Sequence, residues 1–230
     1  MKKEVMIEKI NLLKVSGNEE WNHQFSFPNK VKTRSHDINS PGYNINKWER
    51  LKPIIEDMRP QGKTFLDVGC SDGFYSIEIA KLGAEHVLGS DLDELRIKRA
   101  LLAKDILDIK NVDFEVLDLY KIPNDKSYDV VVGLGLLHRI PDMNECLNKM
   151  SKIAKSIIIE FKTYKSELST YIDHGGKSKS NIYNGLYVTP SIQYVKETLS
   201  SLGFTKFIVH EDEKSHLNYP RTIIVASKDW

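Results

Sequence analysis

From Lys63 onward the sequence switches repeatedly between short apolar runs and longer stretches of helical spacing. The runs "KTFLDV" (Lys63 to Val68), "HVLGS" (His86 to Ser90), "VDFEVL" (Val112 to Leu117), "YDVVVGL" (Tyr128 to Leu134) and "SIIIEF" (Ser156 to Phe161) read as strands. Between them, Phe74 to Leu82, Asp93 to Leu107 and Asp142 to Ala154 carry helical periodicity, the first closed by Gly83. This order leaves few folds. Strands fed by helical crossovers pair in parallel, and near-continuous apolar strands are covered on both faces. Pro190 opens another helix that ends at Gly203, and "KFIVHE" and "RTIIVAS" follow with no helix between them. That pair is predicted to be antiparallel, at one edge of the sheet. The expected class is α/β, a mostly parallel sheet with an antiparallel C-terminal strand and helices on both faces.

The first 47 residues form an extension to this pattern. Residues 1–15 read as a short amphipathic helix with Val5, Met6, Ile10, Leu12 and Leu13 on one face. Residues 16–46 are irregular, yet Trp21, Phe25, Phe27 and Tyr43 are apolar anchors, so an ordered lid or edge segment is expected. A helical pattern from Trp48 to Met58 stops at Pro60. The expected division is therefore 1–47 as extension and 48–230 as one domain, with an aperiodic insert at 162–189 that should be functional at that length.

Composition narrows the function. No apolar stretch reaches the ~20 residues that cross a bilayer, so no membrane partner is expected. The two cysteines, Cys70 and Cys146, make no disulfide framework and no zinc-binding pair, which points to a reducing cytoplasm and no metal. A net charge of +1 gives no strong overall field for nucleic acid, and the basic stretch from His174 to Ser180 reads as a solvated loop.

The chemistry concentrates at strand ends. "DVGCSDG" (Asp67 to Gly73) follows the first strand, where open parallel sheets bind ligands. Gly69 and Gly73 let backbone amides approach a ligand, and the helix that follows offers free N–H groups. A plain strand-to-helix turn with Asp72 as N-cap is the competing reading. A dinucleotide loop needs G-x-G-x-x-G, and the middle glycine is absent here. Asp72 would also repel phosphate. Asp67 and Asp72 instead suit a cationic partner, such as the ammonium of S-adenosylmethionine, with Cys70 and Ser71 completing the loop. Asp91 ends the second strand, placed to accept both ribose hydroxyls, while Asp93 serves as the helix cap. Asp118 ends the third strand, suited to an adenine amino group or to a turn, with Leu92 and Leu119 placed to sandwich the ring.

Together, "FLDVGCSDGFYS", "VLGSDLD", "LDLY" and "YDVVVGLGLLHRIPD" resemble the class I S-adenosylmethionine-dependent methyltransferases over roughly residues 48–230. The resemblance implies a Rossmann-like seven-stranded sheet and S-adenosylmethionine as cofactor, with Leu134 on the cofactor side. "WNHQFSFP", "NKWERLKP", "GLGLLHRIPD" and "NGLYVTPSIQYVKETLSSLGF" are closer to the subfamily of the tRNA wobble-uridine carboxymethyltransferases. That likeness aligns Lys47 with a lysine near the cofactor and Arg221 with a late arginine. It departs at Leu137, where the subfamily carries a carboxylate-gripping tyrosine, and no counterpart of its cofactor-gripping lysine precedes Trp21. Plain methyl transfer is therefore expected over carboxymethyl transfer.

In-line methyl transfer needs a nucleophile held close to the methyl carbon, and a base when the acceptor is a hydroxyl. His138, after the fourth strand, is the candidate base, with a backbone-bonded packed histidine as the alternative. Glu160, Arg221, Tyr183 and Tyr187, with His174 and Asn184 beside them, are candidates for the acceptor side. The expected acceptor is a small metabolite or a sugar or glycan precursor, methylated on O or N. A tRNA acceptor, a catalytically silent binding subunit and a nicotinamide dehydrogenase are the other readings.

Overall fold

The computed structural model describes residues 1–13, 21–33, 44–140, 142–177, 186–212 and 220–228. The chain falls into two compact units, Met1–Asp118 and Leu119–Trp230. The first holds α1 (Lys3–Leu12), α2 (Asn44–Asp57), β1 (Thr64–Val68), α3 (Phe74–Lys81), β2 (His86–Asp91), α4 (Glu94–Leu107) and β3 (Val112–Val116). The second holds β4 (Tyr128–Leu134), α5 (Met143–Ile153), β5 (Ala154–Lys162), β6 (Tyr171–Lys177), β7 (Leu186–Pro190), α6 (Ile192–Ser201), β8 (Lys206–Asp212) and β9 (Arg221–Ser227). Seven strands make one sheet in the order β3-β2-β1-β4-β5-β9-β8. The β1–β2, β2–β3 and β4–β5 pairs are parallel, while β9 is antiparallel to both β5 and β8. The mostly parallel sheet with its antiparallel C-terminal pair is the fold expected from the sequence.

In the first unit, Phe65 and Leu66 of β1, Val87 of β2 and Val112 of β3 are buried, as are Ile77 and Ile79 of α3 and Ala100 and Ala103 of α4. Burial of each large aliphatic side chain stabilises by about 1.5–3 kcal/mol. Asp93 caps α4, accepting from the amides of Leu95 and Arg96. The helix over residues 3–12 presents a narrower apolar face than expected. Met6 and Ile10, one turn apart, are buried, and Val5 and Leu12 are exposed. α1 contacts α4, and an i, i+4 pair is enough to make that contact. α2 begins at Asn44, ahead of the expected Trp48.

The segment from Trp21 to Thr33 has no helix or strand beyond a single 3-10 turn, yet it is ordered by its side chains. Trp21, Phe25 and Phe27 are buried, with the two phenyl rings stacked at 5.4 Å and the indole edge-on to both. Thr33 Oγ1 accepts from the Phe25 amide and donates to the His23 carbonyl. The Asn44 side-chain amide exchanges hydrogen bonds with the backbone of Gln24. Tyr43, the fourth expected anchor, lies outside the described residues.

In the second unit, Val130 to Val132 of β4 and Ile157 to Ile159 of β5 are buried on both faces of the strands. Asp142 and Ser191 cap α5 and α6 through the amides of Glu145 and Tyr194. The insert expected to lack periodicity contains an antiparallel hairpin, β6 with β7, whose register shifts between Asp173 and Lys177. That irregularity interrupts the alternation that marks a strand in sequence. No helix among the described residues is long and apolar enough to cross a membrane.

Candidate functional site

The turn after β1 is built from backbone conformation. Gly69, Ser71 and Gly73 have φ of 73°, 53° and 81°, all left-handed. The amides of Gly69 and Cys70 both donate to the Ser90 carbonyl, at 2.8 and 2.9 Å, which ties the turn to the end of β2. Ser71 takes the left-handed conformation that a middle glycine would adopt without strain, so the absent glycine did not exclude a glycine-like loop. Gly73 is the N-cap of α3, with no side-chain cap. Its lack of a side chain also serves packing. A Cβ there would lie 2.6 Å from Phe114 Cζ and 2.7 Å from Ala100 Cβ. Gly89 makes room for the same ring, with 2.5 Å to Phe114 Cδ1.

Asp91, at the end of β2, is held by two backbone amides. Oδ2 accepts from Ser71 N and Oδ1 from Asp93 N, each at 3.0 Å. Arg96 Nη1 lies 3.8 Å from Oδ2. The carboxylate is thus fixed in direction, and each oxygen keeps a lone pair for a further donor. Asp67 is buried and accepts from Ser76 Oγ at 2.6 Å. Burial raises its pKa to about 6, and the Asp91 charge adds to the rise, while the Ser76 hydrogen bond and the Lys47 charge oppose it. Lys47, half-buried on α2, lies 5.7 Å over the Tyr75 ring. Burial also pushes the Cys70 thiol well up. Leu92 directly follows β2 and Asp118 lies two residues past the end of β3, not at it as expected; both are half-buried.

Asp72 faces other partners than a ligand. It is fully buried, and Oδ2 accepts from the amides of Asn22 and His23. Arg99 Nη1 lies 3.7 Å from Oδ1, and the same guanidinium sits 5.9 Å from the Trp21 ring. Burial raises the Asp72 pKa, and the two amides and Arg99 oppose the rise. Sequence reading missed Asn22, Ser76, Arg99 and Phe114. Arg99 left a faint signal: Leu95, Leu102 and Ala103, one turn away on its helix face, are apolar, although Arg96 beside them is not.

The second unit gathers a different set. β4 ends at Leu134, half-buried, and turns at Gly135 with φ of 68°. Gly135 N donates to the Glu160 carbonyl at 2.8 Å. Arg221 Nη1 donates to both carboxylate oxygens of Glu160 at 3.1 Å. Glu160 is buried and Arg221 is 20% exposed. The open Cβ position of Gly135 is 3.6 Å from Glu160 Oε2, 3.6 Å from His138 Cε1 and 3.7 Å from Arg221 Nη1. Three expected acceptor-side residues therefore converge around one glycine. His138 is buried in the 3-10 turn Leu137–Arg139, which β7 contacts, and Leu137 is a core residue. Leu119 is buried at the start of the 3-10 turn Leu119–Lys121. Tyr187 belongs to β7. Tyr183 and Asn184 lie outside the described residues.

The first unit fits a cationic nucleoside: a fixed carboxylate at the end of β2, a buried carboxyl at the end of β1 whose ionised form a cation would favour, and a helix start free of side-chain caps. Residues 60–199 match the family described as "Methyltransferase domain". The chain is 23% identical over 181 residues to the tRNA U34 carboxymethyltransferase of Idiomarina loihiensis, covering 76% of this chain and 55% of that protein. It is 32% identical over 128 residues to the ribosomal protein L11 methyltransferase of Caldanaerobacter subterraneus subsp. tengcongensis, covering 52% and 41%. The chain spans about half the length of the curated relatives it matches. The N-terminal domain of EvdMO1, crystallised in the presence of SAH and D-fucose, superposes with a TM-score of 0.76 at 16% identity, over 100% of this chain and 98% of that one. The magnesium protoporphyrin IX methyltransferase ChlM of Synechocystis PCC 6803, with bound SAH, gives 0.66 at 20%, over 85% and 90%. These likenesses are ones of fold. The family match runs from just before β1 into α6, more than half of the sequence, and the chain belongs to the methyltransferase-domain family.

Proposed function

We propose that this protein uses S-adenosylmethionine to methylate an oxygen or nitrogen of a small, uncharged acceptor of metabolite or sugar type. When bound, the cofactor supplies an electrophilic methyl group on a sulfonium sulfur. The protein's part is to bind, orient and manage a proton. Asp91, its direction set by Ser71 N and Asp93 N, accepts from the ribose hydroxyls. Ionised Asp67 faces the ammonium, and Lys47 tempers the local negative charge. Asp118 and Leu92 serve the adenine. On the acceptor side, His138 takes up the proton that a hydroxyl acceptor releases.

The observation that carries the acceptor reading is the Arg221–Glu160 pair. Both carboxylate oxygens accept from the guanidinium, so the pair is internally neutralised and presents no uncompensated cation. Such a pair offers donors and acceptors to hydroxyl groups. It is poorly suited to gripping an added carboxylate, which supports methyl over carboxymethyl transfer. The net charge of +1 favours a small acceptor over tRNA.

Calorimetry with S-adenosylmethionine, a carboxylated analogue and NAD tests the cofactor. We expect S-adenosylmethionine to bind at least as well as the analogue, NAD to show no binding, and Asp91→Ala to lose about a hundredfold in affinity, about 3 kcal/mol. A preference for the analogue would point to the carboxymethyl reaction. Labelled cofactor offered to small-molecule pools and to tRNA identifies the acceptor. Label in tRNA alone overturns the small-acceptor reading, and binding without transfer to either would mark a silent binding subunit.

A further inference from the structure

Ser71 is the one residue of the Gly69 to Gly73 turn that holds a left-handed conformation with a side chain, at φ 53°. Left-handed backbone disfavours such residues unless neighbours hold them. Here the neighbours belong to the N-terminal segment. Asn22 Nδ2 donates to Ser71 Oγ at 2.9 Å. The amides of Asn22 and His23 donate to Asp72, the next residue. Behind them, Arg99 lies against Asp72, over the Trp21 ring, and donates from Nε to the Leu13 carbonyl at 3.0 Å. His23 packs on Phe74 and Tyr75, the first residues of α3, with ring centroids at 5.9 and 5.2 Å. The whole segment lies outside residues 60–199, the part that matches the family.

We propose that Asn22 is a positioning residue for the cofactor: it holds Ser71 in the left-handed conformation that sets the loop, so that Trp21 to Thr33 is part of the cofactor-binding apparatus. This rests on the cofactor reading above. Asn22 acts through Ser71, whose amide in turn fixes Asp91. Asp72 is thereby assigned to anchoring the segment.

The test is a double-mutant cycle read by calorimetric binding of S-adenosylhomocysteine to the full chain. Asn22 is exposed, so its replacement leaves the core intact. Asn22→Ala is expected to weaken binding about tenfold, equivalent to about 1.4 kcal/mol, and Asn22→Leu, which keeps bulk but no donor, to follow it. Ser71→Gly supplies the second background, since glycine adopts positive φ without support, and each Asn22→Ala loss is read against its own background. In the Ser71→Gly background, Asn22→Ala should then cost less than about twofold. A tenfold loss in both backgrounds, or no loss in either, overturns the proposal. If the unaltered protein binds no S-adenosylhomocysteine, the cofactor reading falls. If it binds and Asn22→Ala binds equally well, only the positioning role falls.

Discussion

The turn after β1 and the cluster after β4 occupy equivalent places, each at the carboxyl end of a strand, but they are built by different means. The first is a matter of backbone: three left-handed residues in five, with amides donating to the Ser90 carbonyl and to Asp91. The second is a matter of charge: Glu160 and Arg221, 61 residues apart, meet around a single glycine. Local conformation leaves its trace in neighbouring letters. A long-range ion pair leaves none until the fold is known.

The contrast can be broken in order of effect. Glu160→Ala leaves the Arg221 guanidinium without its carboxylate, and chemical unfolding should show a loss of about 3–5 kcal/mol. The paired change Glu160→Leu with Arg221→Leu should recover most of it. If Glu160→Ala costs under about 1 kcal/mol, the cluster is held by something other than charge. Gly73→Ala tests the conformational side. The added methyl meets Phe114 at 2.6 Å on a residue at φ 81°, so a loss of about 2–3 kcal/mol is expected. Adding Phe114→Leu removes one of two collisions and should relieve only part of the loss, since Ala100 Cβ stays at 2.7 Å and the backbone part is about 1 kcal/mol. Full relief would mean that packing alone requires the glycine.

A third effect is in pH. Asp67 is raised from 3.8 to about 6 in the folded protein, chiefly by burial. A carboxyl raised on folding contributes stability that is fully present below its unfolded pKa and is lost as pH rises through the folded value. Without ligand, stability should therefore fall between pH 4 and 6 relative to Asp67→Asn. Cofactor affinity should run the other way. A cationic ligand favours the ionised form, so binding should weaken by up to about tenfold per unit below pH 6, a slope that Asp67→Asn removes. Affinity that is flat in pH would detach Asp67 from the ammonium.

Much of the frame was legible because period and punctuation agree: apolar strands, a helix cap at Asp93, and glycines at turns. The turn after β1 was legible for the same reason, apart from two of its residues. Ser71 stands where a glycine is expected, yet it takes the left-handed conformation itself and accepts a hydrogen bond from Asn22, 49 residues away. Asp72 was expected to face a cation from outside and faces Arg99 and two amides from inside. Both depend on where Trp21 to Thr33 comes to rest, which no local pattern encodes. The hairpin β6–β7 escaped because its register breaks in mid-strand.

The place of β9 in the sheet has a consequence for biogenesis. β9 lies between β5 and β8, although α6 and β8 both precede it in the chain. During synthesis, β5 therefore emerges with one flank bare until nearly 60 further residues have left the ribosome, and that flank runs through Ile157, Ile158 and Ile159. An unpaired apolar strand edge invites association between nascent chains. The same delay leaves Glu160 without Arg221 until the closing strand docks. This half of the protein is where chaperone dependence and insoluble expression should concentrate, and a β9 shortened from its C-terminal side should reproduce the nascent state.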